Sequence, residues 1–360
     1  MPITAKSKFH LSNIFLAESS FPFSKIINIL NKILSNPNIC SKEWIWQQYD
    51  QTVMGDTIQK PGGDSGVIRV HKTNKAVAAS IDSSAVYCWA HPLSGGKQIV
   101  CEGWRNLIAV GAKPIAITNC LNFGSPEKEK NMGEFVESVQ GLGVASKYLD
   151  FPVVSGNVSF YNQTKDVGIK PTPSIGSVGL IKDYKNMVTM DLKKINNILL
   201  VIGKTEGHLD QSLFAREILN EKNGPPPEIN LFNEKNNGET ILKLIDKKLI
   251  KSTHDVSLGG IITAICKMCI KGKKGAILKK PNYLINQFEY LFSEDQGRYI
   301  IEIEKNNLKN VTEILEKNSV HYDNIATVNE NELVIDEKSK VTIDELINSH
   351  TNWLTNYMNK

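Results

Sequence analysis

The stretch Pro152-Val153-Val154-Ser155-Gly156-Asn157-Val158-Ser159 reads as a short apolar strand that runs out into a polar, glycine-containing turn. Its residue types suit a ligand. A glycine lets a phosphate approach backbone N–H groups, the Asn157 carboxamide oxygen is a hard neutral donor for Mg²⁺, and the Ser159 hydroxyl can hydrogen-bond a polar substrate. Taken alone, the run fits a turn closed by an Asx hydrogen bond better than a ligand loop, because such turns are common. Its surroundings decide between the two.

Immediately upstream, Met132, Phe135, Val136, Val139 and Leu142 recur at helical spacing, so a helix leads into the strand. One unit earlier the pattern is the same. Gly95-Gly96 opens a helix running to about Val110, Gly111 stops it, and Pro114 to Thr118 forms a strand that ends at Asn119. Ligands in α/β arrangements gather where strands end, which places Asn119 and residues 155–159 where chemistry is usually found. Farther upstream, Pro61-Gly62-Gly63 precedes paired strand candidates at Gly66 to Val70 and Ala76 to Ile81. Downstream, Pro171-Thr172-Pro173 introduces a strand over Ser174 to Leu180, and the first unit closes near Asp183.

A second α/β pattern begins with the apolar run Ile198 to Ile202. It continues with helices near Gln211 to Leu219, Glu239 to Lys247 and Gly259 to Ile270, a strand at Arg298 to Ile303, a helix at Leu308 to Glu316 and a strand at Asn324 to Val328. Asp344 to Met358 reads as a terminal helix. A chain of 360 residues exceeds the roughly 250–300 at which single cores stop growing, so two domains are expected. Residues 1–44 read as a lead-in segment to the first domain, with an amphipathic helix over Ile26 to Leu34.

Hydrophobic residues at 41% and charged residues at 22% describe a soluble globular chain, and no apolar run approaches a membrane span. The stretch Ile14-Phe15-Leu16, followed by Glu18, is too short for a signal peptide, which points to the cytoplasm. The formal charge of +4 is spread over lysine-rich surface stretches, without the aromatic-interleaved stripe of a nucleic-acid binder. Six cysteines follow no framework and are expected reduced; Cys266 and Cys269 sit within an apolar-periodic run and read as core. His254-Asp255 reads as a loop capping the helix that starts near Gly259, and Glu294-Asp295 as solvated acids.

Over residues 30 to 360 the chain resembles the second half of the small-type bacterial synthetase subunit of phosphoribosylformylglycinamidine (FGAM) synthase. The resemblance rests on many ordered motifs: Gln48-Tyr49-Asp50, Pro61-Gly62-Gly63-Asp64, Gly95-Gly96-Lys97-Gln98, Gly111-Ala112-Lys113-Pro114, Leu121-Asn122-Phe123-Gly124, Pro152 to Ser159, Tyr161-Asn162, Pro171-Thr172-Pro173 and His254-Asp255-Val256-Ser257. The family lies within the superfamily of aminoimidazole ribonucleotide synthetase. The resemblance implies an α/β (α+β) fold in two units. Residues 45–185 would form an α/β domain contributing strands to a shared barrel, residues 195–335 a ferredoxin-like α/β domain, and 336–360 a terminal helix. It implies that Asn119 and Gly156 contact ATP, that Asn157 ligates Mg²⁺ and that Ser159 contacts formylglycinamide ribonucleotide (FGAR). The family's catalytic His lies in its N-terminal half, so no catalytic residue is expected here.

The resemblance further implies partners: an N-terminal-half polypeptide, from a split gene or lost by truncation, a glutaminase and a small bridging subunit. A homodimer that closes the barrel with two identical chains is the other arrangement. Against the family pattern, Asn119 stands for an Asp, Val86 falls where a Pro-Arg pair is usual, His91 replaces an acid, Gln163 a Glu and Leu258 an Asp. Two functions follow: a working component of an ATP-dependent carbon–nitrogen ligase, or a scaffold half whose nucleotide site has degenerated.

Overall fold

The computed structural model describes residues 25–283 and 285–360; the stretch Ile14 to Leu16 lies outside them. In chain order the first part comprises α1 (Ile26–Leu34), α2 (Glu43–Trp46), β1 (Thr57–Gln59), β2 (Gly66–Arg69), β3 (Ala76–Ser83), α3 (Ala85–Ala90), α4 (Pro92–Ala109), β4 (Lys113–Asn122), α5 (Glu129–Tyr148), β5 (Val153–Ser159), the short pair β6 (Gln163–Thr164) and β7 (Val167–Gly168), and β8 (Thr172–Ile181). The second part comprises β9 (Ile198–Ile202), α6 (Leu213–Glu217), α7 (Leu231–Asp246), β10 (Ser252–Asp255), α8 (Gly260–Gly272), β11 (Gly275–Leu278), α9 (Gln287–Phe292), β12 (Tyr299–Ile303), α10 (Leu308–Lys317), β13 (Tyr322–Asn329), β14 (Glu332–Val334), β15 (Lys340–Thr342) and α11 (Ile343–Met358).

The first sheet runs β1-β2-β3-β8-β4-β5, antiparallel except for the parallel pair β4 and β5. Side chains alternate across a strand, and the two faces meet different fates. Val67, Ala76, Ala78, Ile117, Leu121 and Ile175 are buried with Ile99, Leu107 and Ile108 of α4 and Leu142 of α5. On the other face Ile68, Val77, Ile81 and Val178 stay exposed, Ile81 at 84%. The sheet is open and does not close into the barrel that the resemblance implies.

The second sheet, β10-β12-β9-β13-β11-β14-β15, is antiparallel apart from the pairing of β11 with β14. It is wider than a four-stranded ferredoxin-like sheet, and both of its faces are covered. Ile198, Leu200 and Ile202 share a core with Trp104 of α4 and Ile241 of α7, while Leu199 and Val201 face the other core, with Ile262 and Ile265 of α8. A strand buried on both faces reads as an unbroken apolar run, as Ile198 to Ile202 does.

Several sequence expectations change. Helix α1 does not lead into the first sheet: Ile26, Ile29, Leu30, Ile33 and Leu34 are buried in the second sheet's core, and Ser349 Oγ of α11 donates to Asn31 Oδ1 at 3.0 Å. Gly95-Gly96 does not open α4. The helix starts at Pro92, with His91 as N-cap accepting from the Ser94 N–H at 3.2 Å. The two glycines lie inside the helix, where a Cβ on Gly96 would strike the Ser138 carbonyl of α5. Helix α7 begins eight residues before the expected Glu239, capped by Asn230. Cys266 and Cys269 are buried and free, as expected. Among the described residues no helix is long and apolar enough to cross a membrane.

The close approach of α4 to α5 yields a prediction. Gly96→Ala should lower stability by roughly 1–3 kcal/mol, because the backbone must part to admit a methyl group. Urea unfolding followed by circular dichroism checks it; an unchanged midpoint would contradict the packing described.

Candidate functional site

The four residues implied by the resemblance fall on two neighbouring strands. Asn119 pairs with Gly156, Cys120 with Asn157 and Asn122 with Ser159 along the parallel β4–β5 ladder. They are not in turns past buried strands, as the sequence reading had them. Strand β4 runs on to Asn122, and residues 155–159 lie inside β5, the edge strand, with Val153 to Val158 exposed. The two parallel strands extend each other's pairing, so the polar run is held as strand. A Cβ at Gly156 would meet the Asn119 carboxamide, which would have to turn aside. Alternation sets Asn119 and Gly156 on one face and Asn157 and Ser159 on the other. Ser159 closes the strand, its carbonyl accepting from the Phe123 N–H at 3.0 Å.

Three of the departures from the family pattern have structural partners. His91 caps α4, Gln163 Oε1 accepts from the Ser125 N–H at 3.3 Å, and Leu258 packs on the second core.

A second cluster lies in a cleft of about 580 Å³ between the two sheets' units. It is lined by the acidic and imidazole groups of Asp64, Asp82, Glu102, His254 and Asp255 together with Lys42, Lys267, Lys271 and His350. His254 Nδ1 lies 2.6 Å from Asp64 Oδ1, which also accepts the Asp255 N–H at 3.2 Å. Asp82 accepts from Ser80 Oγ at 2.7 Å and Asn106 Nδ2 at 2.6 Å. Burial pushes Asp82 up to about 7 and Glu102 up to about 8, and neighbouring carboxylates add to both shifts. Burial also raises Asp255 and lowers His350 to about 4. Asp64 Oδ2 and Asp255 Oδ2 are buried without a hydrogen-bond partner. Asp64, His254 and Asp255 bring ligand atoms within 4.8 Å of one another, an arrangement suited to a divalent cation. Asp255 does not cap α8: the helix starts at Gly260 behind the N-cap Gly259, whose N–H donates to Glu294 Oε1 at 2.8 Å.

Behind the cleft, Arg105 is fully buried. Its Nη1 is 3.0 Å from both carboxylate oxygens of Glu234, Nη2 donates to Gln296 Oε1 at 2.9 Å, and Nε faces Asp255 Oδ2 at 3.7 Å. Glu294 and Asp295 are buried structural acids, not solvated ones. Glu294 accepts from Tyr87, Leu213 and Gly259, and Asp295 from the backbone N–H groups of Glu206, Gly207 and His208. Sequence reasoning missed Asp82, Glu102, Arg105 and Asn106. The available signal was the i, i+3, i+4 spacing of the last three on one helical face.

Residues 62–181 match the model for the AIR synthase related protein N-terminal domain, and residues 194–337 match that for the C-terminal domain. The chain belongs to the AIR synthase related family. It is 82% identical over 341 residues to the phosphoribosylformylglycinamidine synthase subunit PurL of Pelagibacter ubique, covering 95% of this chain and 47% of that protein. With PurL of Bradyrhizobium diazoefficiens the identity is 42%, over 91% of this chain and 45% of the relative. The chain therefore spans just under half the length of these relatives. Among solved structures it is similar to Thermotoga maritima PurL complexed with FGAR (TM-score 0.73, 19% identity, 95% of this chain, 56% of that one). It is also similar to the complex of that protein with ATP (TM-score 0.64, 20% identity, 80% and 47%).

Two predictions follow from the buried charges. Arg105→Ala should destabilise the chain by roughly 3–5 kcal/mol, since it strands the Glu234 carboxylate, and a second change Glu234→Leu should recover part of the loss. Paired urea titrations measure both. Folding raises the Asp82 and Glu102 carboxyls, so their contribution is full below about pH 4 and is lost as pH rises through about 7–8. The unfolding midpoint should fall by a few degrees between pH 5 and 8, and millimolar Mg²⁺ should raise it at pH 8 more than at pH 5. Asp82→Asn with Glu102→Gln should flatten both trends in a thermal-shift series.

Proposed function

We propose that this chain supplies the C-terminal half of an FGAM synthase synthetase subunit. It would act in the cytoplasm with a polypeptide bearing the N-terminal half, a glutaminase and a small bridging subunit. The observation that carries this reading is the placement of Asn119, Gly156, Asn157 and Ser159 at the free edge of an open sheet. Within the strand pair the four residues are divided between its two faces, so neither face alone carries a complete set of ligand atoms and the site needs further groups from another polypeptide. The exposed apolar face with Ile68, Val77 and Ile81 supports the same conclusion. The complexes of T. maritima PurL with FGAR and with ATP are consistent with the substrate and the nucleotide.

In this reading the chain's residues bind and position. Gly156 lets the nucleotide reach the β5 backbone beside the Asn119 amide, the Asn157 oxygen joins the Mg²⁺ shell, and the Ser159 hydroxyl holds FGAR. The Asn157 oxygen is a single neutral donor on an exposed strand, so the remaining ligands would come from the partner polypeptide. When bound, Mg²⁺-ATP supplies the phosphoryl group that activates the FGAR amide oxygen for displacement by ammonia. The acidic cleft around Asp64, His254 and Asp255 is the more complete cation pocket within this chain, and it lies apart from the strand pair.

Co-expression with the matching N-terminal half should yield a stable assembly that forms the amidine when ammonia and Mg²⁺-ATP are supplied. Asn157→Ala should lower its kcat/KM by at least about tenfold. An active assembly indifferent to Asn157→Ala would refute the metal assignment. An assembly that forms yet takes up no Mg²⁺-ATP by calorimetry at millimolar nucleotide would favour the scaffold function. A homodimer in the chain's own preparation, with no affinity for the other half, would overturn the partnership.

A further inference from the structure

We infer that Asn162 is a positioning residue that aims the Ser159 hydroxyl as a hydrogen-bond donor toward an acceptor oxygen of the substrate. The inference rests on the reading of Ser159 as a substrate contact. Strand β5 ends at Ser159, and the next residue, Phe160, packs edge-on against Phe135, their ring centroids 5.0 Å apart; Phe135 in turn meets Phe123 at 5.3 Å. Tyr161 then adopts φ +60°, a left-handed conformation that a residue with a Cβ rarely takes. That reversal returns Asn162 over the strand ends.

The Asn162 carboxamide reaches the Ser159 hydroxyl and carbonyl and the Phe123 carbonyl. Its Nδ2 lies 2.8 Å from the Ser159 carbonyl, 3.1 Å from the Phe123 carbonyl and 3.2 Å from Ser159 Oγ, three acceptors for two hydrogens, so one hydrogen is shared between the Ser159 carbonyl and its hydroxyl oxygen. Its backbone N–H donates to the same Phe123 carbonyl at 3.1 Å, and its own carbonyl accepts from Ile169 at 2.9 Å. One side chain therefore ties β4 to β5 at the level of the candidate site. With a lone pair of Ser159 Oγ facing Nδ2, the hydroxyl hydrogen has two places to go: back to Asn162 Oδ1 at 3.4 Å, at the outer limit of a hydrogen bond, or outward to a ligand. A stronger acceptor such as a phosphate, hydroxyl or amide oxygen would win it. The strained Tyr161 and the surrounding hydrogen bonds are then explained together, since an unstrained turn would carry Asn162 away from Ser159.

The test uses the assembled synthase with FGAR and ATP titrated separately. Asn162→Ala should raise KM for FGAR about tenfold while KM for ATP stays within about twofold, as expected for the loss of one oriented hydrogen bond. Asn162→Asp, of the same shape, removes the Nδ2 donor and offers the Ser159 hydroxyl a charged acceptor, so it should raise KM for FGAR at least as much; its carboxylate also faces the Ser159 and Phe123 carbonyls, so an unchanged KM for ATP is the check that the strand pair stays in place. Ser159→Ala should match both, and Asn162→Ala in the Ser159→Ala background should add nothing. Additive effects, or equal losses for FGAR and ATP, would overturn the positioning role and leave Ser159 as a contact. A Ser159→Ala enzyme with unchanged KM for FGAR would remove the substrate reading and this inference with it.

Discussion

One buried guanidinium joins the parts of this molecule. Arg105 rises from α4, the helix that covers the first sheet, and ends against Glu234 and Gln296 of the second unit and behind Asp255 of β10. Three carboxylates, Glu102, Glu234 and Asp255, lie within its field, and burial weakens ionisation in each of them. A charge held this deep is tolerable only while its partners stay in place, because losing one leaves the other unpaired in a poorly solvating interior. The relative position of the two sheets is therefore set at Arg105 as much as by the apolar core around it.

That core explains why the two sheets behave differently. Helix α4 packs on the first sheet and, through Trp104, against the face of the second that carries Leu200 and Tyr299, so one apolar cluster runs through both units. The second sheet closes its other face with α1, α8 and α11 and needs nothing more. Among the described residues, the first sheet has helices on one side only. Its other side exposes large apolar residues beside the polar edge strand β5, and the candidate nucleotide and substrate residues sit on that edge. The acidic cleft, by contrast, is built from residues of both units already present, with lysines and carboxylates together in its lining.

The ordered motifs were enough to place the chain in its family. Apolar periodicity located α4, α5, α10, α11 and the strands β8, β9 and β12 to within a few residues. It failed where tertiary partners override local preference. Residues 155–159 look like a turn, yet they form strand because β4 lies beside them and shares its hydrogen bonds. The amphipathic helix Ile26 to Leu34 was legible as a helix, but nothing local says that its apolar stripe belongs to a sheet some 170 residues later. Glu294 and Asp295 look solvated in sequence and are buried, since the N–H groups they bind come from segments 35 to 89 positions away.

The sequence by itself determined the types of most elements and the two-unit α/β plan, because periodicity and glycine placement are local, and its ordered motifs, through the family resemblance, singled out Asn119, Gly156, Asn157 and Ser159 as a candidate site. Only the tertiary structure decided that these residues share one exposed strand pair, that Asp82, Glu102, Asp255 and His254 converge on a cleft, and that Arg105 stands behind it. Such convergence depends on long-range packing, where the cost of burying a charge is met by partners far apart in the chain.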